Sequence, residues 1–177
     1  MRELDGSAGS LSVDGVATAG APALFEEFFE AERDRLFKAL FAITGSRQEA
    51  EDISQEAFVR VWERWDRVSA MDEPSGYLHR TAMNVLRDRR RRVVREMKRV
   101  IRHSPPSDGF DAVEARSVAA TALGSLTQRQ RAAVVLTEGL GYRAEEAGAL
   151  LGVKGSTVRA LLYQARRALN ATPMEER

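Results

Sequence analysis

The chain of 177 residues contains no cysteine, which removes disulfide frameworks, thiolate nucleophiles and cysteine-ligated zinc together. Its two histidines, His79 and His103, are too few and too far apart for a metal site, so each reads as an ordinary polar residue and neither metal nor cofactor is expected. No apolar run approaches the roughly 20 residues that span a bilayer. The opening MRELDGSAGSLSVDGVATAGAP has neither the basic start nor the apolar stretch of a signal peptide. These absences predict a soluble, cytoplasmic protein without stable membrane insertion. No nucleophile, base and orienter can be assembled and no glycine loop is fit to cradle phosphate, so the chain is not expected to be an enzyme. Alternating strand patterns and internal repeats are missing too, which leaves an all-α class.

What is present is charge, unevenly placed. A net charge of +1 would ordinarily argue against nucleic acid, but the total conceals a concentrated cation. Arg80, Arg87, Arg89, Arg90, Arg91, Arg92, Arg95, Lys98, Arg99 and Arg102 are opposed in that stretch only by Asp88 and Glu96.

Residues 1–22 are rich in Gly, Ala and Ser without apolar periodicity and read as a flexible leader. From Leu24, the positions Phe25, Phe28, Phe29, Leu36, Leu40 and Ile43 recur near helical spacing, and Gly45 supplies a stop. Ser46 with Glu49 is a capping-box pattern opening a second helix, whose apolar positions run through Ile53, Ala57, Phe58, Val61, Trp62 and Trp65. The loop that follows, from Val68 to Ser75, holds Pro74, which is expected to interrupt helix. A third helix from about Gly76 puts Leu78, Ala82, Val85 and Leu86 on one side and Arg80, Asn84, Arg87 and Arg91 on the other.

Pro105, Pro106 and Gly109 mark an aperiodic linker over 99–112, dividing a half at 23–98 from a second at 113–172. In the second half Val113, Val118, Ala122 and Leu123 suggest a helix, Thr127 with Gln130 repeats the capping box, and Gly139 and Gly141 break the run that follows. Residues 144–163, AEEAGALLGVKGSTVRALLY, then fit a helix-turn-helix. Two steeply crossing helices need a small residue on the first, supplied by Gly148, and tolerance of a positive backbone angle in the turn, supplied by Gly152. Leu151 and Val153 are expected to fill the space beneath, with Val158, Leu161, Leu162, Ala165 and Leu169 anchoring the second helix. Its other face carries Ser156, Arg159, Ala160, Tyr163, Gln164 and Arg167, a set suited to a major groove because Arg and Gln pair bidentately with guanine and adenine edges.

With both halves in view, the stretch from Leu24 to about Ala171 resembles the extracytoplasmic-function branch (group 4) of bacterial RNA polymerase sigma factors. DISQEAFVRVWERW (Asp52 to Trp65) is similar to the family's helix that docks on the clamp of the polymerase largest subunit. The resemblance implies core-polymerase contacts at Asp52, Gln55, Glu56, Arg60 and Trp62, with Phe58 facing the core instead. EPSGYLHRTAMNVLRDRRRR (Glu73 to Arg92) looks like the promoter-opening segment. By that likeness the loop Ser69, Ala70, Met71 and Asp72 inherits the pocket for a base flipped from the −10 element, and Arg80, Asn84, Arg87 and Arg91 hold the opened strand. LGSLTQRQRAAVVL (Leu123 to Leu136) and the helix-turn-helix resemble the part that reads the −35 duplex, through Lys154, Ser156, Thr157, Arg159, Ala160, Tyr163, Gln164 and Arg167. An anti-sigma factor is a further implied partner, beside core polymerase and promoter DNA. The chain departs from the family at Ala147 and Gly148, where a larger aliphatic residue and Ala are common, which predicts a less tightly packed turn.

Two other classes compete. A one-component regulator would join a sensing half to an operator-binding half, but neither the strands nor the acidic pocket of a receiver are present. A purely protein-binding helical adaptor leaves the arginine face and the helix-turn-helix without a purpose.

Overall fold

The computed structural model describes residues 20–100 and 122–171, and every regular element among them is helical. The all-α expectation holds. The first helix, α1 (Gly20–Thr44), takes in residues 20–22, which the composition had assigned to the leader. It ends where the pattern predicts, at Gly45 with φ of 75°. Ser46 caps α2 (Arg47–Trp62) by accepting from the Glu49 amide, which satisfies one of the donors a helix start leaves orphaned. A single turn, α3 (Trp65–Val68), leads through the loop at 69–73 into α4 (Pro74–Val100).

The sequence reading began this helix at Gly76 and treated Pro74 as a breaker. In fact Pro74 opens it, because the first turn needs no amide proton from that position. The helix also continues two residues beyond the expected boundary at 98. The expected linker, from residue 101 onward, and the helix anticipated around Val113 and Val118 lie outside the described residues; residues 122–124 are helical.

In the second half a complete Thr127–Gln130 capping box opens α5 (Gln128–Val134), which widens into a π-turn over Val135–Gly139. There Leu140 N donates to Val135 O at 2.9 Å and Tyr142 N to Leu136 O at 3.0 Å. Gly141, at φ 78°, turns the chain into α6 (Ala144–Leu151), capped by Gly152 at φ 69°. The last helix is α7 (Gly155–Ala171).

The apolar stripes of both halves meet in one continuous core. Leu36, Leu40 and Ile43 of α1, Ile53, Ala57 and Val61 of α2, and Leu78, Ala82 and Val85 of α4 are joined to Ala133, Leu136, Ala147, Leu150 and Val158 from the second half. The seam between the halves is tied by polar contacts as well. Arg131, only 1% exposed, sends Nε to Ile43 O at 2.9 Å and a terminal nitrogen to Leu126 O at 2.7 Å. A buried cation thus sits at the carboxyl end of α1, where unpaired carbonyls and the helix dipole both favour positive charge.

Candidate nucleic-acid interface

Along α2 the expected docking residues occupy the outward side. Asp52 and Gln55 are exposed, Glu56 and Arg60 half-buried, and Trp62 is 46% exposed with its ring edge-on to Phe25 at 4.8 Å. An open apolar groove between α1 and α2, lined by Phe25, Phe29, Phe37, Val59 and Trp62, opens beside Gln55. Phe58 is buried, as expected. Sequence reasoning missed Arg89. It projects from α4 onto α2 and pairs with Asp52 at 3.2 Å and Glu56 at 3.1 Å, while Arg60 pairs with the same Glu56 at 2.6 Å. These carboxylates hold Arg89 above the usual guanidinium range in spite of its partial burial.

The opposite behaviour marks the rest of the arginine run. No carboxylate among the described residues pairs with Arg87, Arg90, Arg91 or Arg95. These four line a cleft of about 630 Å³ together with Leu86, Val94, Arg129, Gly152 and Thr157. Uncompensated guanidinium groups in a cleft raise the local potential for anions. Arg80 and Asn84 lie further back on the helix, and Asn84 Oδ1 accepts from Arg87. Of the loop that precedes the helix, Ser69, Ala70 and Asp72 are exposed and Met71 is half-buried.

The helix-turn-helix forms as read, with one correction of packing. A methyl group on Gly148 would come within 2.8 Å of Val153 O and 3.0 Å of Gly155 N. The turn is therefore drawn closer than alanine permits, and the looser packing expected from Gly148 is not found. Val153 does not fill the space beneath; it is exposed, and its carbonyl makes the close approach instead. Leu151, Leu161, Leu162 and Leu169 are half-buried, while Val158 and Ala165 are wholly buried. All eight residues expected to face DNA, Lys154, Ser156, Thr157, Arg159, Ala160, Tyr163, Gln164 and Arg167, are exposed. Arg159 pairs with Glu145 of α6, and that hydrogen bond holds the Glu145 carboxyl below its ordinary range.

Two basic surfaces of different shape thus come from one chain. The first half, residues 28–96, matches the family described as Sigma-70 region 2, and residues 117–169 match Sigma-70, region 4. The extracytoplasmic-function RNA polymerase sigma factor SigE of Mycolicibacterium smegmatis is 32% identical in an alignment covering 93% of this chain and 67% of that protein. The chain belongs to the extracytoplasmic-function sigma factors. As such it is a DNA-binding protein that directs transcription initiation. SigL of Mycobacterium tuberculosis is 27% identical to this sigma factor over 92% of its length and 96% of SigL. In three dimensions it is similar to SigJ of Mycobacterium tuberculosis (TM-score 0.56, 28% identity, 82% of this chain and 53% of that one). The fold is also that of RpoE from Bartonella quintana, solved in complex with the anti-sigma factor NepR (TM-score 0.64, 20% identity, 82% and 94% covered). No described helix of this sigma factor is long and apolar enough to cross a membrane.

Proposed function

We propose that this sigma factor is a group 4 member acting in the cytoplasm without catalytic activity of its own, and that its surfaces divide the work of initiation. Residues 23–98 form one functional module and 113–172 the other. In the first, Asp52, Gln55, Glu56, Arg60 and Trp62 dock on core polymerase. Ser69 to Asp72 receive a flipped −10 base, and Arg80, Asn84, Arg87 and Arg91 hold the opened strand. In the second, the outward face of α7 reads the −35 duplex. The observation that carries this reading is the contrast within α4. The arginine facing α2 is neutralised by two carboxylates, whereas those in the cleft are left for an external anion.

Melting roughly ten base pairs costs on the order of 14 kcal/mol of stacking, at about 1.4 kcal/mol per step. A short basic helix does not supply that alone. Stacking of flipped bases recovers part, and contacts with the polymerase supply the rest. An anti-sigma factor fits as a further partner, since the structurally similar RpoE was solved with NepR and the similar CnrH with the cytosolic domain of CnrY.

Reconstitution with core polymerase tests the reading. Promoter-dependent initiation that appears only when the chain is added supports it. A chain that leaves core polymerase unable to initiate, yet grips an operator alone as a dimer, overturns it in favour of a one-component regulator.

A further inference from the structure

Five guanidinium groups surround the cleft between α4 and the second half, Arg87, Arg90, Arg91 and Arg95 from α4 and Arg129 from α5, and no carboxylate lines it. None of the five has a carboxylate partner among the described residues. Packing the halves together sets Arg129 against the other four, and like charges so gathered repel unless an anion joins them. Arg87 closes one side: it donates to Asn84 Oδ1 on its own helix and lies so close over Gly152 that no side chain fits there. The halves also meet away from the cleft, where His79 Nδ1 lies 2.6 Å from the Tyr142 hydroxyl, so the two walls are held at more than one place.

Charge alone would suit any anion, and two further features narrow the class. The floor is apolar, with Leu86, Val94, Leu151 and Leu161 facing the same space, and a flat apolar body covers such a floor where a bare phosphate does not. Gln128, the first residue of α5, lines the cleft and is only 7% exposed, yet its side-chain amide has no hydrogen-bond partner among the described residues. Neither amide atom is wholly shut off from solvent, so the amide is open to the cleft. A nearly buried amide is costly until a partner completes it. Its adjacent donor and acceptor have the geometry that pairs bidentately with a purine edge.

We propose that this cleft is a binding site for a nucleoside polyphosphate, whose base lies on the apolar floor with its edge on Gln128 while the phosphates take Arg90, Arg91, Arg95 and Arg129. The volume of about 630 Å³ falls within the roughly 300–1,000 Å³ of small-molecule sites. Thr157 adds a hydroxyl in the first turn of α7, whose positive end favours anions. Gln128 and Arg129 belong to neither set of residues assigned above to promoter DNA, so the site is distinct from those surfaces, although it shares Arg87 and Arg91 with the first. Because both halves supply cations, the ligand binds the packed arrangement better than a separated one and draws the population toward it.

The site is read on the free chain, without polymerase or promoter, so its failure and the failure of the functional reading are separate outcomes. Isothermal titration with metal-free ATP should show saturable binding with a dissociation constant below about 1 mM. Arg95→Ala in the first half and Arg129→Ala in the second should each weaken it by about tenfold, since each removes a charge-assisted contact. Arg166→Ala, at an arginine paired with Glu138 outside the cleft, should leave it unchanged. All three positions are exposed, so these variants keep the fold. Inorganic triphosphate, titrated in parallel, separates a nucleotide site from a bare anion site. Gln128→Leu should weaken ATP by about tenfold and leave triphosphate as it was, because exchanging an unpartnered amide for an apolar side chain of similar size spares the fold. The proposal is overturned by absence of saturable ATP binding, by an Arg95→Ala or Arg129→Ala chain that binds like the native one, by equal affinity for ATP and triphosphate, or by a Gln128→Leu chain that still prefers ATP as the native does.

Discussion

At Gly148 a single hydrogen atom decides the geometry of the DNA-reading unit. A methyl group there would meet backbone on three sides, Val153 O at 2.8 Å, Gly155 N at 3.0 Å and Lys154 C at 3.1 Å, and backbone yields less than a side-chain tip. Gly148→Ala should therefore destabilise the chain by about 1–3 kcal/mol, the usual cost of overpacking, despite the better helix propensity of Ala. Urea denaturation measures this, and a change within about 0.5 kcal/mol of zero would contradict it. Arg131 makes the complementary case, where a long side chain cannot be shortened. Its removal leaves Ile43 O and Leu126 O without the donor that now reaches them, and each buried unsatisfied carbonyl costs about 1–3 kcal/mol. Arg131→Leu should accordingly lower the unfolding free energy by more than about 2 kcal/mol, whereas Arg129→Ala, at an exposed position nearby, should change it by less than about 0.5 kcal/mol.

Helix α4 does three things on three faces: Leu78, Ala82, Val85 and Leu86 enter the core, Arg89 grips α2, and Arg87, Arg90, Arg91 and Arg95 line the cleft. If Arg91 and Arg80 each neutralise one phosphate of the opened strand, Arg80→Ala and Arg91→Ala should weaken promoter binding by holoenzyme across sequences, and each should reduce the steepness of log affinity against log salt by about 0.7. Titration of forked promoter DNA at several salt concentrations checks this; an unchanged slope would remove the residue from the strand-holding set. Much of this element was legible beforehand, because a 3.6-residue period, a capping pair and a positive-φ glycine are local signals, and α2, α5 and the helix-turn-helix were found by the same means. Arg89 was lost in the arginine run, since its partners Asp52 and Glu56 lie 37 and 33 residues away. Arg131 and Ile43 are 88 residues apart, and His79 and Tyr142 are 63 apart. No window of sequence reports such pairs, and burial of a cation or an imidazole is decided by the tertiary seam. Val153 was misjudged for a related reason: it is apolar, but the tight approach at Gly148 uses its carbonyl and leaves its side chain outside.

For the whole molecule, the packed arrangement conflicts with simultaneous use of the two proposed DNA surfaces. Arg87 and Arg91 share their cleft with Gly152 and Thr157 of the helix-turn-helix, so an opened strand and a −35 duplex would compete for the same space. Each helical turn of spacer sets two promoter elements about 34–36 Å further apart, and halves that share one core cannot follow them. If the two surfaces are used as proposed, initiation requires the halves to separate and the apolar residues of their shared core, Leu36, Leu136 and Leu150 among them, to find other cover. Tying the halves shut should block function without damaging either half. With cysteines placed at Glu63 and Asn170 and joined by a cross-linker of matched span, the bridged chain should lose promoter-dependent transcription with core polymerase, by at least about tenfold, which corresponds to about 1.4 kcal/mol. A cleavable cross-linker should restore the activity on cleavage, which separates restraint from damage. Full activity of the bridged chain would mean that both promoter elements are read in the closed form, and the cleft between α4 and the helix-turn-helix would then have to admit DNA as it stands.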